Sequence, residues 1–246
     1  MLELAASAAG IAGEYLRNLP AGERRVSSVR GRDVKLEADL AAEDLIRAEL
    51  RSNSGFEILG EEQGFEQRGA SDYTWIVDPL DGTFNYLRGT ALCCVSIGLF
   101  SADLPRLGAV YDFNRDEMFT GIVGVGAWKN GESMYASGLE NRDKAALATG
   151  FPVDFDFGGS NVERYAVDFN EYKKVRMIGS AALSLAYVAS GRFDVYREES
   201  IRIWDVAAGL ALVLAAGGRY RLDGYPGATR VDVIAGGSCL MSQIDS

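Results

Sequence analysis

The spacing of apolar positions near the start of the chain predicts two amphipathic helices. The first is indicated by apolar residues that recur at helical intervals, namely Leu4, Ala8, Ile11, Tyr15 and Leu19. Asp39 begins the second, Leu40–Leu50, in which acidic residues cluster early and Arg47 and Arg51 fall late. This order of charges suits the helix dipole, which is positive at the N-terminus and negative at the C-terminus.

Short apolar runs bounded by turn residues predict a series of strands in the middle of the chain. These runs are Phe56–Leu59, Tyr73–Asp78, Leu92–Phe100, Gly108–Phe113, Glu117–Ile122 and Gly126–Lys129. The turns between them are short, and the last run ends at Asn130-Gly131. Neighbouring strands are therefore expected to pair in an antiparallel or mixed sheet.

From about Lys144, segments with helical and strand patterns alternate. The expected order is strand Ala145–Thr149, helix Val162–Asn170, strand Lys173–Met177, helix Ala181–Ser190, strand Phe193–Tyr196, helix Val206–Ala216, and strands Gly218–Leu222 and Val231–Ala235. Such alternation is typical of an α/β unit. The sequence thus predicts two halves, 1–135 with a mainly antiparallel sheet and 136–246 with α/β organisation. Because no long linker separates them, we expect one compact body with a cleft between the halves.

The segment from Trp75 to Thr83, with the sequence WIVDPLDGT, carries the most chemical information. Its apolar start predicts a buried strand, which ends at Asp78, a proline, Asp81 and a Gly-Thr pair that opens a helix. Two carboxylates thus lie beside backbone N–H groups, where an anion is favoured. A divalent cation that holds a phosphate would reconcile these charges. The alternative is an Asx turn with no function beyond the turn itself.

The composition restricts the chemistry that such a site can perform. The 246 residues include no histidine, which excludes a Ser-His-Asp triad, a histidine general base and histidine-ligated zinc. The cysteines Cys93, Cys94 and Cys239 form neither a disulfide framework nor a Cys-x-x-Cys motif, so we expect buried free thiols. Ligation by oxygen alone points to Mg²⁺, Mn²⁺ or Ca²⁺.

Charge and hydropathy narrow the range of partners. The formal net charge is −10 and no basic run occurs, which argues against nucleic acid as a partner. The segment Leu2–Leu19 lacks the basic start and compact apolar core of a signal peptide. The apolar stretch Val206–Gly218 is too short to span a bilayer. We therefore expect a cytoplasmic protein without a membrane partner.

Three further acids lie where apolar segments meet helices or loops. Glu61 follows a predicted strand, Asp205 precedes a predicted helix, and Asp39 heads another helix. Each has a simple structural alternative, because paired acids on loops are usually solvated surface and an aspartate before a helix is often its N-cap. Together with Asp78 and Asp81, however, these acids occupy the positions at which α/β folds build functional sites.

The segments that carry these acids, in this order, resemble the signatures of the inositol monophosphatase family. They are Gly60-Glu61-Glu62, Trp75–Thr83 and Trp204-Asp205-Val-Ala-Ala-Gly209, with Val95-Ser-Ile-Gly98 and Gly179-Ser-Ala-Ala182 between them. The match extends over essentially the whole chain, and the wider superfamily includes fructose-1,6-bisphosphatases and nucleotide 3′-phosphatases. The resemblance implies a layered α-β-α-β-α sandwich of the sugar phosphatase type that acts as a magnesium-dependent phosphomonoesterase.

The resemblance also implies a role for each acid. The metal ligands would be Glu61, Asp78, the Leu80 carbonyl, Asp81 and Asp205. They would hold two or three Mg²⁺ ions, which Mn²⁺ can replace. Asp39 would pair with Thr83 to orient and deprotonate the attacking water, and Glu61 would also take part in catalysis. Backbone N–H groups of Gly82 and Thr83 would hold the phosphate.

Substrate choice depends on residues around this centre. Glu198 lies where the family presents a glutamate to sugar hydroxyls, although a charged surface loop is the alternative. The family's Val-Thr before the Asp39 position is replaced by Lys35-Leu36, and a His-Cys pair is replaced by Arg202-Ile203. A cationic wall for a second phosphate would come from Arg88, Arg176, Arg197 and Arg202. The alternative is that each arginine is a solvated surface residue.

Glu198 favours inositol monophosphate as the substrate, whereas the two departures count against a narrow inositol assignment. The surplus arginines favour fructose 1,6-bisphosphate as a second substrate of the same enzyme. The alternatives are a nucleotide 3′-phosphatase acting on adenosine 3′,5′-bisphosphate and a non-catalytic metal-binding regulatory protein. We expect a small phosphorylated polyol or sugar as the partner, no nucleic acid and no membrane, and a homodimer.

Overall fold

The structure is a computed structural model that describes residues 1–68, 71–152, 155–158, 160–224 and 229–244. The α-helices in these ranges are α1 (Leu2–Asn18), α2 (Glu37–Asn53), α3 (Thr83–Leu87), α4 (Ser160–Glu171), α5 (Ala181–Ala189), α6 (Ile203–Ala215) and α7 (Ser238–Ile244). Single turns of 3₁₀ helix lie at Ala21–Glu23 and Arg142–Lys144. The strands up to the middle of the chain are β1 (Val26–Arg30), β2 (Asp33–Leu36), β3 (Glu57–Gly60), β4 (Gly64–Glu66), β5 (Tyr73–Asp81), β6 (Cys94–Ser101), β7 (Leu104–Asp112), β8 (Glu117–Ile122), β9 (Gly126–Lys129) and β10 (Glu132–Ser133). The later strands are β11 (Ala146–Thr149), β12 (Lys174–Arg176), β13 (Val195–Arg202), β14 (Gly218–Asp223) and β15 (Arg230–Gly237).

The larger sheet has eight strands in the order β10-β9-β8-β7-β6-β5-β3-β4. Its neighbouring strands pair antiparallel, except that β3 and β5 run parallel. The mainly antiparallel sheet expected from the apolar runs is confirmed. The parallel pair matters for the site, because it brings the ends of β3 and β5 to the same edge, with Gly60 beside Val77.

The smaller sheet has five strands in the order β12-β11-β13-β15-β14. β11 is parallel to β12 and to β13, whereas β15 is antiparallel to β13 and β14. Helices α4, α5 and α6 occur between these strands along the chain, so the predicted alternation of helices and strands is confirmed. This half is a mixed α/β unit.

The helices and sheets form the five layers that the resemblance implied. Helices α1 and α2 pack on one face of the larger sheet. Helices α5 and α6 fill the space between the sheets, where their apolar residues share one core with Phe119 of the larger sheet and Val233 of the smaller. Leu240 of α7 packs on the outer face of the smaller sheet, against Leu147. The division into 1–135 and 136–246 stays a prediction, because α5 and α6 contact both sheets.

The buried face of α1 differs from the one that the sequence predicted. Its core-facing residues are mostly small, namely Ala5, Ala8, Ala9, Ala12, Gly13 and Leu16. Ile11, which the pattern assigned to the core, is 39% exposed. Small side chains let a helix approach its neighbours closely, and a pattern that weights large apolar residues misplaces the face of such a helix.

Two helices begin earlier than predicted. Helix α2 starts at Glu37 rather than after Asp39, and α6 starts at Ile203 rather than at Val206. Asp39 and Asp205 are therefore the third residues of their helices. The alternative that each is only the N-cap of its helix is wrong. An acid in the first turn still interacts favourably with the helix dipole.

Several short elements were missed. The β1–β2 hairpin was not predicted because every residue of β1 is exposed, so that no apolar alternation marks it. Strands β4 and β10 and helix α7 were not predicted either, because they are too short to show a clear periodic pattern. Cys93 and Cys94 are buried as expected, but Cys239 is exposed. Within the described ranges, no helix has the length and apolar character needed to cross a membrane.

Candidate metal centre and active site

The two aspartates of the WIVDPLDGT segment lie at the end of β5. The strand continues past its predicted end to Asp81, and its pairing with β6 is irregular between Asp78 and Asp81. Here the N–H of Leu80 donates a hydrogen bond of 3.0 Å to Oδ1 of Asp78. The Asx-type contact considered from the sequence is thus present at Asp78. It engages one carboxylate oxygen and does not explain why a second and a third acid lie beside it.

Glu61 and Asp205 approach Asp78 from neighbouring elements. Because β3 is parallel to β5, Glu61 follows the strand end directly, and its N–H donates to the Val77 carbonyl at 3.2 Å. Asp205 reaches the same point from the first turn of α6. One carboxylate oxygen from each of Glu61, Asp78 and Asp205 lies within 4.8 Å of the others. The fold therefore brings together acids that are far apart in the sequence.

The electrostatics of these three acids favour a bound cation. Burial raises the pKa of Asp78 well above its usual value, and the neighbouring acids raise it further. Burial also raises the pKa of Asp205, with a further contribution from Glu61. Carboxylates at this spacing are the ligands that hard divalent cations prefer. The donor set thus fits a metal such as Mg²⁺, whose charge would relieve the repulsion.

Asp81 is oriented differently from the other three acids. Its Oδ2 accepts hydrogen bonds from Ser180 Oγ at 2.6 Å and from the N–H of Ala182 at 2.7 Å, at the start of α5. Burial raises the pKa of Asp81 to about 6, and these hydrogen bonds act in the opposite direction. Asp81 therefore joins the end of β5 to the start of α5. Ser180 was missed as its partner, although a serine before an apolar helix is an N-cap signal.

The Asp-Gly-Thr turn is held by its own side chains and backbone. Gly82 has φ of +90°, a conformation that residues with a Cβ rarely adopt, and it precedes α3. The Thr83 hydroxyl donates to the Leu80 carbonyl at 3.0 Å. Thr83 and Leu80 are thus in direct contact, so the predicted catalytic hydroxyl lies beside the predicted carbonyl ligand.

Asp39, the third residue of α2, bonds back to the N-cap residue Leu36 with one carboxylate oxygen and keeps the other oxygen free. Its Oδ2 accepts the N–H of Leu36 at 2.6 Å, which stabilises the start of α2. Its Oδ1 is buried and has no hydrogen-bond partner among the described residues. Burial raises the pKa of Asp39 to about 8, partly offset by the Leu36 hydrogen bond, and the charges of Glu61 and Glu62 raise it further. The capping and catalytic interpretations are therefore compatible, because each uses a different oxygen.

A buried ion pair orients the turn that carries Glu61. The Glu43 carboxylate is fully buried, pairs with Arg47 at 2.8 Å, and accepts the N–H groups of Glu62 at 2.8 Å and Gln63 at 3.1 Å. A Cβ on Gly60 would lie 2.2 Å from Glu43 Oε1, so only glycine leaves room for this contact. Glu43 was not predicted to be a site residue, because a glutamate within an amphipathic helix is usually exposed at the surface.

Two adjoining cavities open beside the acids. One, of about 250 Å³, is lined by residues that include Asp81, Ser180, Glu198 and Asp205. The other, of about 170 Å³, is lined by residues that include Glu61, Phe151, Glu198, Arg202, Asp205 and Arg230. Glu198 is buried, and its Oε2 accepts the Tyr196 hydroxyl at 2.8 Å. Burial raises the pKa of Glu198 to about 7. Glu198 is therefore not the exposed loop residue that the alternative required.

The arginines of the proposed cationic wall do not converge on one point. Arg202 lines the smaller cavity and stacks 5.5 Å from the Trp204 ring. Arg176 is exposed on β12 and donates to the Val175 carbonyl, and it is not among the residues that line either cavity. Arg88 is exposed, and Arg197 forms an ion pair with Glu199 at 3.2 Å. Of these four arginines, Arg202 is the one that lines a cavity beside the acids.

We expect the metal-free protein to become more stable as the pH falls from about 8 to about 6. The pKa values of Asp39, Asp81 and Glu198 are raised to about 8, 6 and 7, so the folded state holds their protons more tightly than the unfolded chain does. Stability is then lost as the pH rises through these values. The thermal midpoint in EDTA measures this, and saturating Mg²⁺ should flatten the dependence. A midpoint that is constant or rises from pH 6 to pH 8 in EDTA would contradict the expectation.

The sequence model of the Inositol monophosphatase family matches residues 1–236. A curated relative, the Nus factor SuhB of Pseudomonas aeruginosa, is 39% identical over 229 residues, which cover 89% of this chain and 83% of the relative. Another, the fructose-1,6-bisphosphatase/inositol-1-monophosphatase of Aquifex aeolicus, is 39% identical over 185 residues, 75% of this chain and 69% of the relative.

A solved structure supports the same relationship. The extragenic suppressor protein suhB from Bartonella henselae superimposes with a TM-score of 0.89 at 34% identity, covering 99% of this chain and 96% of that chain. The two chains therefore share the same fold over nearly their whole length.

Proposed function

Because the chain belongs to the inositol monophosphatase family, we propose that it is a magnesium-dependent phosphomonoesterase that hydrolyses inositol monophosphate. One observation carries the proposal: Glu61, Asp78 and Asp205 place carboxylate oxygens within 4.8 Å of one another. A charge-dense group of acids at the mouth of two cavities has no structural purpose of its own, since its repulsion costs stability. It does suit metal-assisted hydrolysis of an anionic ester.

In this proposal, Glu61, Asp78, Asp205, Asp81 and the Leu80 carbonyl hold two or three Mg²⁺ ions. Bound magnesium would supply positive charge that screens the phosphate, promotes ionisation of water and stabilises the departing alkoxide. Asp39 accepts the water proton at Oδ1, the oxygen that its helix cap leaves available. Thr83 orients that water with its hydroxyl, and the N–H groups of Gly82 and Thr83 bind the phosphate.

Two observations support a small polyol as the substrate. The cavity of about 250 Å³ beside Asp81 and Asp205 is large enough for a ring the size of inositol. Glu198 lines both cavities with a carboxylate that can accept hydrogen bonds from hydroxyls. Fructose 1,6-bisphosphate remains a second substrate in the proposal, with Arg202, and more remotely Arg176, as candidates to contact its other phosphate.

A substrate panel tests the proposed function. Phosphate release is measured with inositol 1-phosphate, fructose 1,6-bisphosphate and adenosine 3′,5′-bisphosphate, each with Mg²⁺ and with EDTA. We expect Mg²⁺-dependent hydrolysis of the first substrate and measurable hydrolysis of the second. A preference for adenosine 3′,5′-bisphosphate would favour the nucleotide phosphatase. Absence of turnover with every substrate would favour the non-catalytic regulatory protein, an alternative that the name Nus factor, borne by the Pseudomonas aeruginosa relative, keeps open.

Replacing Glu198 by glutamine should weaken turnover of inositol 1-phosphate selectively. If the carboxylate contacts the ring hydroxyls, the loss of charge-assisted hydrogen bonds raises KM by about tenfold or more. The flat artificial substrate p-nitrophenyl phosphate, which has no such hydroxyls, should be hydrolysed normally. Glu199→Gln is the matched control, because this neighbour pairs with Arg197 and does not line either cavity. Equal losses with both substrates would place Glu198 outside substrate recognition.

We also propose a cytoplasmic location and a homodimer. The acidic composition, with a net charge of −10, and the two buried free thiols are compatible with a reducing compartment. Size-exclusion chromatography with light scattering tests the dimer directly, and a mass of one chain would contradict it.

A further inference from the structure

Lys35 places a positive charge beside the proposed metal ligands. Its Nζ lies 2.6 Å from Oε1 of Glu62 and 3.7 Å from Oε1 of Glu61. It is also close enough to Asp39 for its charge to favour the ionised form of that carboxyl. The ammonium thus contacts the turn that carries one proposed metal ligand.

The surroundings hold this lysine in place. Its strand, β2, pairs with β1, so the backbone of Lys35 is part of an ordered hairpin. Its partner Glu62 is anchored in turn, because the N–H of Glu62 donates to the buried Glu43 carboxylate at 2.8 Å. The backbone is therefore held at both ends of the contact, which lowers the cost of bringing the two side chains together relative to most surface ion pairs.

Lys35 puts a positive charge where the family resemblance leads us to expect an apolar residue. The position corresponds to the apolar residue of the Val-Thr pair that the family commonly has before the Asp39 position. An apolar side chain at position 35 would contribute nothing to balancing the negative charge of Glu61. A lysine balances part of it permanently, at every metal concentration.

We propose that Lys35 is a positioning residue that serves as a built-in cation of the metal centre. Its ammonium fixes the Glu61 turn and takes the charge-balancing place of one divalent ion at that edge of the acid cluster. The centre then binds fewer divalent ions, and binds them less tightly at Glu61, than the same centre with an apolar residue. The inference deepens the proposed function and rests on it, since it takes the acid cluster to be a metal site.

Metal binding without turnover tests the proposal. Free Mn²⁺ is measured by electron paramagnetic resonance in titrations of the wild type, Lys35→Val and Lys35→Arg. Valine suits a strand and restores the family's apolar residue. We expect Lys35→Val to bind one additional Mn²⁺ per chain, or to bind Mn²⁺ about tenfold more tightly, a change equivalent to ~1.4 kcal/mol. Lys35→Arg keeps the charge and should behave as the wild type.

The matched control is Lys129→Val. Lys129 is also on a strand, pairs with Glu117 at 3.5 Å, and its side chain is 33% exposed, against 29% for Lys35. Removing this lysine should leave the Mn²⁺ titration unchanged. A change of the same size in Lys129→Val would mean that general charge is responsible, which would overturn the specific role of Lys35.

An Asp78→Asn titration separates the two levels of the proposal. If the wild type binds Mn²⁺ and Asp78→Asn does not, the acid group that includes Asp78 is the metal site. A Lys35→Val titration identical to that of the wild type would then overturn the role of Lys35 alone. If Asp78→Asn binds Mn²⁺ with the same affinity as the wild type does, the proposed metal site is contradicted, and with it the proposed function. As a second readout, Lys35→Val should reach half-maximal activity at a lower Mg²⁺ concentration.

Discussion

Replacing Asp78 by asparagine should abolish phosphatase turnover while making the metal-free protein more stable. Asp78 is 1% exposed and lies against the carboxylates of Glu61 and Asp205, and burial and these neighbouring charges raise its pKa. The amide removes a buried charge, which we expect to raise the free energy of unfolding by ~1–3 kcal/mol. It also removes a charged ligand from the centre of the site. The measurements are kcat at saturating Mg²⁺ and the thermal midpoint in EDTA.

Asp112→Asn is the informative control, because it should show the opposite behaviour. Asp112 is also fully buried, but it accepts hydrogen bonds from the N–H groups of Asn114 and Arg115 and pairs with the Arg115 guanidinium at 2.9 Å. Its replacement should cost ~1–3 kcal/mol of stability and leave kcat nearly unchanged. If Asp78→Asn retained activity within a few-fold of the wild type, the metals would have to be held elsewhere.

The strands around the site could be predicted because their chemistry is local. The apolar runs before Asp78 and Glu61 each mark a strand in the sequence itself, although β5 continues three residues past Asp78 to Asp81. In α/β folds the carboxyl ends of neighbouring strands lie at one edge of the sheet, where functional sites form. Acids at two strand ends and at a helix start are therefore expected to lie close together. The position of Asp205 beside Asp78 therefore follows from elements that the sequence identifies, and the resemblance supplied their order.

The contacts that hold the site could not be predicted, because they depend on tertiary packing. Asp81 was expected only among the metal ligands, yet it also accepts hydrogen bonds from the start of α5. Glu43 is a charged residue at a helical position, and only the approach of Gly60 explains its burial. Residues separated by long stretches of chain create both contacts. Helical or strand periodicity predicts which face of an element is buried, but it does not predict which residues pack against that face.

Thr83→Ala should lower kcat by about 10²–10⁴ and change KM little, because the hydroxyl orients water in the transition state rather than binding the substrate. The hydroxyl lies 3.0 Å from the Leu80 carbonyl, so its loss also frees a predicted metal ligand. Thr83→Ser keeps the hydroxyl and should restore most of the rate. A normal kcat in Thr83→Ala would exclude the hydroxyl from the mechanism.

Asp39→Asn should lower kcat over a similar range, about 10²–10⁴, since an amide cannot accept the proton of the attacking water. The structure makes asparagine the decisive substitution, because its side-chain oxygen can still accept the N–H of Leu36, as Oδ2 of Asp39 does at 2.6 Å. The hydrogen bond to Leu36 is then retained, and the free energy of unfolding should fall by no more than ~1 kcal/mol. The thermal midpoint measures this change. Glu37→Gln, in the same helical turn but exposed, controls for loss of charge at the start of α2. If Asp39→Asn keeps its kcat, Asp39 only stabilises the helix, and the base must be another group.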